Sequence, residues 1–336
     1  DHSIKLATSI ETAIGGDDHI TTGGGPDIII GGAAGDLITA GSDSTNDTHR
    51  DIVLGDSGTA NFDHAGRIDN IYSIDAMIGG NDRISTSGGD DIVFGGSNSD
   101  TIATGNDNDI VLGDSGKGIF NSDLNTNNYF GLLRILKTTS PEIGDSDTII
   151  TDEGDDIVLG GQAGDSITAS TTETADNDIV LGDNGQVTFE VDGSILEATT
   201  SDASIGGADE IYTYNGEDIV IGGTADDTID AGRDESGDTH RDIVLGDSGT
   251  ATFDSQGRID EISSINTDIG GDDIIVTGGG NDIVIGGTAQ DRITTESGDD
   301  IVLGDSGHAT FNSDLGTLSA ANHIGILRTI QTITPA

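Results

Sequence analysis

Asp82, Asp91, Asp100 and Asp109 stand nine residues apart, and the same ladder returns at Asp273, Asp282, Asp291 and Asp300. The lines between them read SGGDDIVFG, GSNSDTIAT and GNDNDIVLG in the first stretch, and TGGGNDIVIG, GTAQDRITT and ESGDDIVLG in the second. A fixed period this short, pairing a glycine-rich turn with an aliphatic pair or Thr-Ile, specifies a solenoid rather than a conventional globular core.

The charge balance says what must hold such a solenoid together. The chain carries 62 acidic against 12 basic residues, a formal charge of -50 on 336 residues, and only 32% of it is apolar. Aspartate outnumbers glutamate 51 to 11, in the company of 53 glycines. An acidic coat or a disordered acidic tail scatters its aspartates without phase, whereas here they keep phase. A short Asp side chain folds back into a tight Gly turn where Glu would overreach. With no cysteine in the chain, cross-linking falls to hard cations held through oxygen. The charge disfavours nucleic acid, no apolar run approaches the roughly 20 residues of a membrane span, and Asp1 opens no signal peptide. The segment reads as soluble.

Five blocks of about 64 residues recur, starting near Gly15, Gly79, Gly144, Gly206 and Gly270. Each has a nonapeptide half closing on Asp-Ile-Val-Leu-Gly-Asp and then a spacer. The expected organisation is the end of a preceding spacer at 1–14, then block one at 15–78 (roll 15–58, spacer 59–78) and block two at 79–143 (roll 79–116, spacer 117–143). Block three follows at 144–205 (roll 144–185, spacer 186–205), block four at 206–269 (roll 206–249, spacer 250–269) and block five at 270–336 (roll 270–307, spacer 308–336). Alternation at Ala60 and Phe62, then a DHAG or DSQG turn, then Arg67-Ile68 or Arg258-Ile259, predicts β-hairpins that project from the roll or pack along its flank. The longer apolar spacers, Phe130 to Leu136 and Ile324 to Ile330, read as short helices. A longer period overlies the blocks: residues 1–126 align without a gap onto 192–317, which gives the chain the look of a piece of a larger array.

Each line supplies one loop and one strand. Glycines such as Gly23, Gly24, Gly25, Gly31 and Gly32 permit the positive φ of a sharp turn, the turn exposes carbonyls, and the aspartate adds charge to the same cavity. The aliphatic residue two places on (Ile29, Ile38, Val53, Val93, Ile102, Val111) points inward. Two lines complete a coil, so loops two lines apart stack on one edge and can hold a cation between them. A carboxylate from each loop and several carbonyls give about six oxygens, which suits Ca²⁺ better than Mg²⁺ and leaves Zn²⁺ and Cu²⁺ without nitrogen or sulfur ligands. The candidate ligands are Asp18, Asp27, Asp36, Asp51 and Asp56; Asp82, Asp91, Asp100, Asp109 and Asp114; Asp147, Asp156, Asp165, Asp178 and Asp183; Asp209, Asp218, Asp227, Asp242 and Asp247; and Asp273, Asp282, Asp291, Asp300 and Asp305. Carboxylates stacked without cations repel, so binding is expected to be folding.

Some lines depart from the pattern. Asp36 to Asp51 and Asp227 to Asp242 are fifteen apart and Asp165 to Asp178 thirteen, so those third lines bulge. Ala34, Ala163, Ala225 and Ala289 replace a glycine, and Ser170 to Ala175 contains none. The bulges share THRD, which makes His49 and His240 the histidines repeated at the long period; they read as solvent-facing. Arg67 and Arg258 are expected to pair locally with the acidic roll.

Lines such as GGGPDIII, SGGDDIVF, GGAAGDLIT, GGQAGDSIT and GGGNDIVI resemble the GGxGxDxUx nonapeptides of the RTX family of secreted calcium-binding bacterial proteins, over about half the chain. The resemblance implies an all-β, right-handed parallel β-roll interrupted here by β-hairpin spacers, export by a type I route, and folding on extracellular calcium. Copying at two periods favours a non-catalytic structural segment of a large secreted or cell-surface protein: a stalk, spacer or self-assembling array, with copies of the array or other surface or matrix components as partners. The rival readings are the calcium-dependent accessory region of an exoenzyme or toxin, and an ice- or ligand-binding face. The latter would need a regular Thr or Asn rank, and the relevant positions (Pro26, Asp90, Asn108, Asp155, Glu217, Asn281) vary.

Overall fold

The computed structural model describes residues 4–41, 47–121, 131–171, 174–232, 239–312 and 326–333. Among the described residues the chain is all-β, arranged as three stacked sheets that run the length of the molecule. Among these residues no helix is long and apolar enough to cross a membrane.

Within a block the four nonapeptide lines alternate between two parallel sheets. In block two, Arg83–Ser85 and Thr101–Ala103 belong to an outer sheet, while Ile92–Gly96 and Ile110–Asp114 belong to a central one. Two lines therefore make one coil of a parallel β-roll. Each sheet has ten strands in chain order, the central one running from Ile28–Gly32 to Ile301–Asp305 and the outer one from His19–Thr21 to Arg292–Thr295. Register does not slip between blocks: Ile52, Val53 and Leu54 pair with Ile92, Val93 and Phe94. A strand slipped by one residue would turn its whole apolar set to the wrong face.

After every fourth line the chain leaves the roll for a hairpin. Gly58–Phe62 pairs with Ile68–Ser73, and Gly116–Phe120 with Leu133–Thr138. The hairpins also pair with one another, as Lys117 does with Tyr72, and so form a continuous antiparallel sheet of eleven strands from Leu6–Thr8 to Ile326–Thr332. Hence the spacers pack along the flank and supply a third layer.

That third layer explains why the central strands are apolar at three successive positions. Val53, Val93, Val111 and Val158 meet Ile38, Ile84, Ile102 and Ile149 of the outer sheet. Their neighbours Leu54, Phe94 and Leu112 face the other way and pack on Ala60, Ile71, Phe120 and Leu136 of the hairpins. A strand covered on both faces reads as a continuous aliphatic run.

The expected helices at Phe130 to Leu136 and Ile324 to Ile330 are corrected to strands, Leu133–Thr138 and Ile326–Thr332; Phe130 and Ile324 lie outside the described residues. Leu133 and Leu136 are both buried at a spacing of three, which imitates a helical stripe. The cause is a β-bulge: Ile119 faces Ile135 while Phe120 faces Leu133, so Arg134 is left over and both leucines turn inward. The same irregularity brings Ile68 and Ile71, and Ile259 and Ile262, to one face.

Candidate metal centre

Twenty of the twenty-five candidate aspartates form two columns, one on each edge of the roll. On the edge where the chain enters the outer sheet, each backbone N–H donates to Oδ1 of the aspartate one coil further on: Asp18 to Asp36, Asp36 to Asp82, Asp82 to Asp100 and Asp100 to Asp147, all at 2.7 Å. The column continues through Asp165, Asp209, Asp227, Asp273 and Asp291. On the opposite edge, where the chain enters the central sheet, Asp27, Asp51, Asp91, Asp109, Asp156, Asp178, Asp218, Asp242, Asp282 and Asp300 do the same. Burial follows the stack. Asp51, Asp91, Asp156 and Asp178 have no exposure at all, whereas Asp18 at the first coil is exposed.

One oxygen of each carboxylate after the first in its column is thus used to brace the preceding coil. On the first edge Oδ2 of Asp36, Asp82, Asp100, Asp147, Asp165, Asp209, Asp227, Asp273 and Asp291 is buried without a hydrogen-bond donor. Each lies over the penultimate glycine of a central strand, together with the carbonyl of the corresponding glycine one coil on: Asp36 with Gly55 over Gly31, Asp82 with Gly95 over Gly55, and Asp100 with Gly113 over Gly95. A Cβ on any of these glycines would strike both oxygens. The result is a repeated pairing of carboxylate and main-chain carbonyl with no donor to neutralise it, which native proteins leave unmade only where an ion or water completes it.

The second edge is chemically different. Threonine stands where the first edge has glycine: Thr86, Thr104, Thr151, Thr213 and Thr277, all fully buried. The hydroxyls of Thr213 and Thr277 donate to Oδ2 of Asp218 and Asp282 at 2.6 Å. Those of Thr86 and Thr151 instead donate to the carbonyls of Thr104 and Ala169. This hydroxyl column was missed in the sequence, although threonine recurring five residues ahead of aspartate was there to be read.

Burial, reinforced by the neighbouring aspartates, drives the column carboxyls far above their ordinary value. Asp91 is pushed up to about 7, Asp82, Asp147, Asp156 and Asp273 to about 8, and Asp100 and Asp109 to about 10. Asp165, Asp178, Asp209 and Asp227 move the same way for the same reason. A column that resists ionisation this strongly calls for positive charge.

The remaining five candidates, Asp56, Asp114, Asp183, Asp247 and Asp305, end the last central strand of each block. Asp56 accepts from the N–H of Gly80 (3.1 Å) and from the N–H and hydroxyl of Ser97 (2.6 and 2.7 Å). Asp183 accepts from Gly207 and Thr224, Asp247 from Gly271 and Thr288, and Asp114 from Gln162. These four tie the start of a hairpin to loops of the next block, beside the first column, whose aspartates they repel. Asp305 is exposed.

The altered loops keep the turn. Ala34, Ala163, Ala225 and Ala289 all hold positive φ, between 71° and 79°, at a cost of about 1 kcal/mol each. Part of the glycine-free loop, residues 172–173, lies outside the described residues. Arg67 and Arg258 pair with Asp63 and Asp254 of their own hairpin turns. The His49 ring is 57% exposed, yet its Nδ1 lies 2.9 Å from Oδ1 of the enclosed Asp47.

Calcium fits these donors. Among the described residues no three His, Cys, Asp or Glu side chains converge, so the donor set is one of carboxylates mixed with backbone carbonyls. That is an all-oxygen, flexible set of the kind Ca²⁺ takes and Zn²⁺ does not. The pattern described as the RTX calcium-binding nonapeptide repeat, in four copies, matches residues 12–45, 79–111, 86–118, 144–169, 205–235, 270–293 and 276–311, together just over half of the chain. No curated protein matches it.

Proposed function

The chain belongs to the family of the RTX calcium-binding nonapeptide repeat and is a calcium-binding repeat region; on that premise we propose that it is a non-catalytic, calcium-stiffened stalk or spacer in a large secreted or cell-surface bacterial protein. The observation that carries this is the continuity of both aspartate columns and all three sheets through five blocks. Extra blocks add length and ions without changing the cross-section, which suits an extender better than a catalyst. The column carboxylates, chiefly Asp36, Asp82, Asp100, Asp147, Asp165, Asp209, Asp227, Asp273 and Asp291, would hold calcium with the glycine carbonyls beside them. The ion supplies the positive charge that lets those buried groups ionise. At submicromolar calcium the repelling columns keep the chain unfolded and exportable, by a type I route; millimolar calcium outside folds it, at the roughly 10⁻⁴ to 10⁻³ M affinities of extracellular modules. Copies of the same array or other surface and matrix components are the partners in this reading.

The test is far-UV circular dichroism with light scattering while calcium is added to an EGTA-stripped sample, with magnesium as control. A coil-to-β transition near millimolar calcium, absent with magnesium, supports the reading, and scattering that grows in parallel adds self-assembly. Full β structure that survives prolonged chelation would sink it.

A further inference from the structure

The 12 basic residues are few enough to follow one by one. Arg50, Arg67, Arg241 and Arg258 each lie against a carboxylate of this chain, and Lys5 and Arg134 donate to the carbonyls of Asp63 and Phe189. Lys117 and Lys137 are placed differently. They stand directly opposite each other on the two strands of the block-two hairpin. Leu136, next to Lys137, is fully buried in the core, so strand alternation turns both lysines to the outer flank. Among the described residues neither is paired with a carboxylate; Lys117 Nζ lies 6.0 Å from the centre of the Tyr72 ring. Like charges directly opposite on a sheet work against its formation, so this pair is an expense to the fold.

The patch is wider than the two lysines. Ile119 and Ile135, also opposite each other, lie on the same outer face and are half-buried. On the adjoining strands Tyr72 and Gln186 stand beside the lysines, and Asn70 and Thr188 beside the isoleucines. These rows therefore hold no carboxylate across four strands, in a chain that has 62 acidic residues. Block five shows the alternative. Counted 191 residues on, Lys117 becomes His308 and Asn70 becomes Glu261, and His308 Nε2 lies 3.1 Å from Glu261 Oε1. Block two keeps the cation without the anion.

A complement to it stands on the roll. Asp226 and Asp272 are exposed on consecutive coils of the first edge, where the Asp272 N–H donates to Asp226 Oδ1 at 2.8 Å. At the same outward position other coils carry Asn81, Ser99, Ser146 or Ala208, so two successive carboxylates are particular to this place. Both pairs have the spacing of one strand to the next, about 4.8 Å, along the same axis. We propose that the block-two flank docks a second copy of this chain, with Lys117 and Lys137 taking Asp226 and Asp272 of that copy and Ile119 and Ile135 leaving water beside them. This rests on the reading of the chain as an array and names the surface on which copies meet. The two surfaces differ and every copy carries both, so the contact builds a ring or an open filament and not a two-fold dimer. At a formal charge of -50 two copies repel; calcium in the columns lowers that charge, so docking follows folding.

The experiment is sedimentation velocity of the 336-residue chain over a concentration series in saturating calcium, alongside K117E/K137E, D226K/D272K and an equal mixture of the two, with circular dichroism to show that each is folded. The parent chain is expected to associate, and to come apart as salt is raised. Each double variant should associate about tenfold more weakly. The mixture, in which every lysine pair again meets a carboxylate pair, should recover. A folded parent chain that stays monomeric, or one that associates equally well with either pair reversed, overturns the proposal and leaves the calcium-stiffened stalk standing. A monomeric chain that binds dextran sulfate only while both lysines are intact overturns it in favour of an anionic polymer. A parent chain that calcium does not fold removes both readings. Should a variant fail to fold, carbodiimide coupling of mixed isotope-labelled and unlabelled parent chains decides. Peptides joining Lys117 or Lys137 of one copy to Asp226 or Asp272 of another support the proposal, and coupling confined to single copies refutes it.

Discussion

At the scale of the residue, the decisive group is an aspartate held where it cannot easily be an anion. The folded values of Asp91, Asp82 and Asp100, about 7, 8 and 10, stand above the ordinary 3.8. For an acid whose value is raised by folding, stability is complete below the unfolded value and falls as pH climbs towards the folded one. The calcium-free chain is therefore expected to show β structure near pH 4 and to lose it progressively up to about pH 8, where calcium restores it. Circular dichroism at the two pH values in EGTA checks this; identical spectra would contradict it. Calcium binding near pH 5, where the calcium-free chain is still largely folded with its column carboxyls protonated, should also release protons, seen as a binding heat that changes with the buffer. Glycine matters for a different reason. Gly95 does not need positive φ, but a methyl group there meets Asp100 Oδ2 and the Gly113 carbonyl. Gly95→Ala should cost about 1–3 kcal/mol, read as a higher calcium midpoint.

At the scale of the element, the roll was legible and the flank only partly so. The nine-residue period, the inward aliphatic at Val53 or Val93 and the two-line coil follow directly from phase, because a stack of identical turns leaves little choice. The hairpins at Ala60 to Ile68 were legible from alternation and a DHAG turn. What the sequence concealed was the bulge, which puts Leu133 and Leu136 on one face at a helical spacing, and the pairing of hairpins from different blocks, which no local pattern encodes. Of the candidate site, the two columns were legible. The backbone donors that hold Asp56 and Asp183, the threonine column and the carboxylate of Asp47 were not, because each depends on which loops become neighbours after coiling. Leu136 is fully buried between hairpin and central sheet, so Leu136→Ala should cost about 2–5 kcal/mol. Since it touches no column, chemical denaturation in saturating calcium should report that loss with calcium stoichiometry unchanged.

At the scale of the whole molecule, stability is a sum over coils and the contacts between them, as in other solenoids. Chains cut to one, two, three and five blocks at Gly79, Gly144 and Gly206 are expected to show a calcium midpoint that falls, and a transition that steepens, as blocks are added. A midpoint independent of length would mean that blocks fold alone. The continuous hairpin sheet has a further consequence, for load. Its strands, like those of the roll, are stacked along the long axis from Leu6–Thr8 to Ile326–Thr332, so tension between the two ends peels hydrogen bonds in sequence instead of shearing them all together. Each block released frees about 64 residues, or about 200 Å of contour at roughly 3.4 Å per residue. Pulled in an optical trap with calcium present, the molecule should yield in a saw-tooth of such steps and re-form when slackened. It would dissipate a sudden tug block by block, as a tether does that must survive flow.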